Sequence, residues 1–167
     1  MRKCAKDIAK TILSVSLHAM EKMLIKTSCR VKSERQKFIL QGNCANNMHK
    51  DIVKCSQNNI KTITAINKNS TKSNTKIPLM CCSQIQWKNC VVGEANKRVG
   101  GMCTAANVDY LDMYFEKAML DPMNIFCADY QDSDKCDTLM RQLPTTDSIR
   151  LKYATLFPAL IELFESL

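Results

Sequence analysis

The chain has 167 residues, of which ten are cysteine and only four each are glycine and proline, and its formal net charge is +8. That length suits one domain with a core of its own, and so few Gly and Pro exclude the loop-rich knots and all-β folds that need many turns. The charge is lopsided, with 16 Lys/Arg and 4 Asp/Glu in residues 1–80 against 8 and 12 in residues 81–167. The basic half holds a single aromatic residue, Phe38, and no run of five like charges. A nucleic-acid partner is therefore not expected, and the basic face is read as a solvated surface docked on a more acidic half.

The predicted architecture is all-α: a single domain over residues 1–167 with six to eight helices. Cys4, Ile8, Ile12, Val15, Ala19 and Met23 recur at helical spacing and predict a long amphipathic helix over residues 3–26. Ser28 and Cys29 mark its break. Ser33 with Gln36 reads as a capping box for a short helix that ends at Gln41, with Gly42 as its stop. Cys44, Met48, Ile52, Cys55, Thr62 and Ile66 place a further helix over residues 44–66. The segment NKNSTKSNTKIP, residues 67–78, is polar and closed by Pro78, and predicts a loop. It carries the chain's N-glycosylation acceptor, Asn69. Helices follow over residues 79–99, ended by Gly100–Gly101, and over residues 105–120. Asp121-Pro122 predicts a fresh helix start. A short helix then carries Cys136, and Asp147 is the expected cap of a last helix that Pro158 interrupts or kinks. No stretch of eighteen apolar residues occurs, so no membrane span is expected.

The ten cysteines are Cys4, Cys29, Cys44, Cys55, Cys81, Cys82, Cys90, Cys103, Cys127 and Cys136. An even, scattered set predicts five disulfides in an oxidising compartment. No C-x2-C pair is present and the two histidines, His18 and His49, lie far apart, so no metal is expected. Folding residues 44–66 against 79–99 about the polar loop gives facing residues a nearly constant index sum. Cys55 with Cys90 and Cys44 with Cys103 satisfy it. Adjacent residues on a helix diverge by about 100°, so Cys81 and Cys82 are expected to clip two different neighbours among Cys4, Cys29, Cys127 and Cys136. The six cysteines outside the first two pairs allow fifteen connectivities, with Cys127–Cys136 across a turn among them.

Catalysis is not expected. The doublet Cys81–Cys82 is followed by Ser83, Gln84 and Ile85, with none of the histidine and aspartate that secreted phospholipases place there, so no base activates a water. Neither histidine sits in a setting that suggests a thiolate–imidazole pair. No cofactor is called for.

The stretches FILQGNC, CCSQIQWKNCV, VGGMC and CADYQDSDKC carry a resemblance to a loose group of secreted, cysteine-rich, all-helical arthropod proteins, over the middle and C-terminal two thirds of the chain. The resemblance implies a secreted helical protein and brings no activity with it. Lys6, Asp7 and Lys10 interrupt any apolar signal segment near the first residue, so the signal is expected to lie outside this stretch. The competing expectation is a cytosolic chain with free thiols. The leading functional expectation is an extracellular helical binding protein without catalytic activity, its partner an unknown protein. The alternative is a carrier of a small apolar ligand in a Met- and Phe-lined cavity, although the same apolar stripes also suit a filled core. A third is a receptor ligand acting through the basic half.

Overall fold

The computed structural model describes residues 2–68, 73–130 and 133–167, and within them not the side chains of residues 2–9, 12, 13, 24, 73, 74, 125 and 133. Helix α1, Arg2–Glu21, runs directly into a π-helical stretch, Lys22–Cys29. Helix α2 is Lys32–Asn47, α3 His49–Lys68 and α4 Ser73–Asn96. Helix α5, Ala105–Phe115, passes through a second π stretch, Glu116–Leu120, into α6, Asp121–Cys127. A 3₁₀ turn, Ala128–Tyr130, leads to α7, Ser133–Met140, and α8 is Leu156–Glu165. Among the described residues, eight α-helical segments thus make seven continuous rods. Among the described residues the one strand-like pairing is the bridge of Val99 with Cys103. The fold is an all-α, disulfide-stapled bundle.

Helices α3 and α4 pack antiparallel at the centre. Around one half of that pair lies a core of Ile60, Ile63, Ile66, Leu79, Met80, Met123, Leu160, Leu163 and Phe164. Around the other lies a smaller core of Met48, Val91, Ala95 and Val108 beside two of the disulfides. Each fully buried aliphatic side chain stabilises by about 1.5–3 kcal/mol relative to exposure. The cores therefore fix the helices more firmly than intrinsic propensity does.

Among the described residues four disulfides cross the bundle. Cys44 of α2 pairs with Cys103, and Cys55 of α3 with Cys90 of α4, with Cα atoms 4.9 and 5.9 Å apart. Cys81 pairs with Cys127 of α6 and its neighbour Cys82 with Cys136 of α7, at 5.5 and 5.1 Å. Helix α4 thus receives three of the four staples. The divergence of adjacent side chains on its surface sends Cys81 and Cys82 to different helices, so Cys127 and Cys136 do not bond each other.

Several local expectations are corrected. Cys29 is an exposed free thiol rather than a disulfide partner. It ends a rod that begins at Arg2, and the α-helical stretch from Cys4 to Glu21 alone rises about 26 Å, far beyond the reach of a disulfide. The Cys4 side chain lies outside the described residues. Helix α2 begins from Val31, which makes no side-chain cap, and runs through Gly42 to Asn47. Ser33 is therefore inside the first turn, Gly42 stops nothing, and Cys44 belongs to α2, with the bend at Met48 separating it from α3. The loop expected over residues 67–78 is largely helical: α3 extends to Lys68, and Pro78 is the sixth residue of α4. Pro78 forfeits one helical hydrogen bond, but Leu79 and Met80 beside it are buried in the larger core. Asn69 lies outside the described residues.

Asp121-Pro122 does not begin a new helix. Leu120 before it is helical, and the Asp121 N–H donates to the Glu116 carbonyl five residues back. Pro122 has no N–H and would crowd the carbonyl four residues back; the π stretch widens the rod just ahead of it. Helix α8 is entered from Thr155, not Asp147, and Pro158 is its third residue. The N–H groups of a first turn have no intrahelical partner, so Pro158 costs nothing there and does not interrupt.

Candidate apolar cleft

Three sides of a cleft come from the stapled frame. Helix α3 contributes one continuous face, His49, Ile52, Val53, Ser56, Gln57 and Ile60, whose spacing of three and four residues is that of a single helical stripe. Helix α4 contributes Trp87. The π stretch contributes Ala118 and Met119, and α6 contributes Met123. The remaining walls come from Ser16 and Met20 of α1 and from Ala154 to Phe157 and Leu160 at the start of α8. The volume is about 470 Å³, within the usual range of ligand sites. Ile60, Ala118, Met123 and Leu160 are its buried floor. His49, Val53, Gln57, Ala154 and Thr155 are exposed and form its mouth.

Among the described residues no Asp, Glu, Lys or Arg lines this cleft. The other large grooves differ. One of about 730 Å³ beside α2 and α5 is walled by Glu34, Lys37, Asp109 and Lys117, and one of about 490 Å³ near α7 by Asp137 and Arg141. The cleft is therefore the place where an apolar molecule leaves water without stranding a protein charge.

Two ion clusters hold the cleft's irregular walls. On α4, Lys88 Nζ lies 3.1 Å from Asp112 and is also bonded to Glu116, the first residue of the π stretch. Burial disfavours its charge, but the hydrogen bonds it donates to the two carboxylates outweigh this and raise its pKa above 10.5. At the mouth, Glu162 of α8 accepts from Lys152 Nζ and from the Tyr153 hydroxyl, both at 2.7 Å. Those two hydrogen bonds hold its carboxyl below its ordinary value of 4.5. They pin residues 152 and 153 to α8 immediately before Ala154 and Thr155.

Trp87 stands edge-on to Phe115, ring centroids 5.1 Å apart. Its indole Nε1–H is buried without an acceptor, as is the Asn59 Oδ1 without a donor, although Asn59 donates to Gln84 across the α3–α4 interface. An unsatisfied buried donor costs about 1–3 kcal/mol. Among the described residues no group of three His, Cys, Asp or Glu is placed to hold a metal ion, and no helix is long and apolar enough to cross a membrane.

No protein-family model, curated protein or solved structure matches this chain.

Of the residues singled out from the sequence, eight cysteines are brought together as the four staples. None of them lines the cleft. The cleft residues themselves were not singled out as a site. The available signal was the α3 stripe, which mixes Ile and Val with His49, Ser56 and Gln57 at positions that a filled core would keep apolar.

Proposed function

We propose that this protein is an extracellular, non-catalytic carrier that holds a small apolar molecule in the cleft between its stapled frame and helices α1 and α8. The observation that carries this reading is a partly buried cavity of about 470 Å³ with no Asp, Glu, Lys or Arg among the described residues of its wall. At about 30 Å³ per heavy atom, the share of a water in the liquid, the space suits about fifteen non-hydrogen atoms. A single alkyl chain with one polar end fits that size. The apolar floor takes the chain, and His49, Gln57 and Thr155 at the mouth offer hydrogen bonds to the polar end. Met20, Met119 and Met123 give the wall flexible, polarisable side chains that adapt to chains of different shape.

The extracellular setting is supported by the four disulfides, which persist in oxidising compartments. Kinship with secreted arthropod proteins rests on cysteine order and helical texture and belongs to the same proposal. Native mass spectrometry of the oxidised protein with 1-dodecanol tests the carrier reading. One-to-one adducts are expected, and Ala118→Phe, which pushes a ring into the cleft from its floor, is expected to abolish them while leaving the circular dichroism unchanged. Adducts that persist in a folded Ala118→Phe protein, or none with the unaltered protein, would refute it.

A further inference from the structure

The segment from α1 to α2 breaks the usual rules for a protein surface. Seven of the eleven large hydrophobic side chains found exposed among the described residues lie between Val15 and Leu40. Three are consecutive, Phe38, Ile39 and Leu40, and the last two are 65% and 71% exposed. Three successive exposed apolar residues are an error in a soluble helix unless they have a use. Over residues 10–40 the same segment carries seven Lys/Arg against two Glu. No described disulfide lies in it before Cys44.

We infer that the α1–α2 hairpin is a docking surface for an anionic lipid bilayer. Successive helical residues turn by about 100°, so Phe38, Ile39 and Leu40 span an arc wider than a single neighbouring helix covers. The interfacial layer of a bilayer accepts such an arc along one side of a helix lying in its plane. Ile25 and Val31, at the turn between the two rods, add apolar contacts at the same end. Arg30, Lys32 and Arg35, all exposed, are interleaved with these side chains, in position to meet lipid phosphates and carboxylates while the apolar groups enter the acyl boundary. The lysines and arginines select an anionic bilayer over a neutral one. The near absence of aromatics separates this surface from one that stacks nucleic-acid bases. The inference does not rest on the carrier reading, since none of these residues lines the cleft.

Vesicle flotation with the full-length oxidised protein tests it. Vesicles of phosphatidylcholine containing phosphatidylserine are expected to capture the protein at least tenfold better than phosphatidylcholine alone, and less well as salt is raised. The double variant I39D/L40D changes only exposed side chains. It is expected to lose at least tenfold in capture with unchanged circular dichroism and unchanged 1-dodecanol adducts. Equal capture by neutral vesicles, full capture of the folded double variant, or retention by oligo(dT) without vesicle capture would each overturn the inference.

Discussion

Among the described side chains, Cys29 is the cysteine that the four staples leave over. It sits exposed at the end of the first rod, without a disulfide partner among the described residues. Cysteine chemistry follows exposure and thiolate fraction. Iodoacetamide applied to the native protein without reductant is therefore expected to modify Cys29 and to spare the eight bonded cysteines, as read by peptide mass mapping. Modification at Cys81 or Cys82 before reduction would contradict the staples on α4. The single tryptophan illustrates the other side of the residue scale. Trp87 lies in the cleft wall, buries an unpaired N–H, and meets Phe115 edge-on, so its emission reports on the cleft without any label.

At the scale of elements, antiparallel geometry made part of the connectivity legible from the sequence. A constant index sum across α3 and α4 points to Cys55–Cys90, and the Asn59–Gln84 hydrogen bond lies in nearly the same register. Cys44–Cys103 follows from the same sum although Cys44 stands on α2, because the bend at Met48 leaves Cys44 close to the end of α4. Helix limits were less legible. Polar residues around 67–78 resemble a loop when read locally, yet burial of Ile66, Leu79 and Met80 accompanies the extension of α3 to Lys68 and the start of α4 at Ser73. Thr104 and Asn107 form a reciprocal cap for α5. It went unread because asparagine replaces the usual Glu or Gln at the third position.

The cap of residues over the mouth of the cleft depends on one carboxylate. The folded pKa of Glu162 is lowered by its hydrogen bonds from Lys152 and Tyr153. Its contribution is therefore complete above the ordinary pKa of 4.5 and is lost as pH falls through the lowered value. Glu162→Gln is expected to be less stable than the unaltered protein at pH 7 and to converge with it in acid, below the folded pKa, in urea melts at each pH. A gap between the two that widened on acidification would contradict the pairing.

At the scale of the whole molecule, disulfides tie α2, α3, α4, α6 and α7 into one frame, while no described disulfide reaches α1 or α8. The cleft lies along that boundary. Its walls combine side chains from rods far apart in sequence, which explains why apolar stripes at helical spacing could not tell a cavity from a filled core. Stripe spacing says which face turns inward. Whether opposing faces meet depends on how the rods cross, and the π stretch ahead of Pro122, which sets Ala118 and Met119 in the wall, carries no simple periodic signature.

The most direct test of the carrier reading is a titration of the intact, oxidised protein with 1-dodecanol, followed by the emission of Trp87. Saturable change at one molecule of alcohol per chain, with a micromolar midpoint and loss of the response in Ala118→Phe, is the predicted result. Emission that stays constant through the titration, or that drifts without saturating while the protein remains folded, would contradict it.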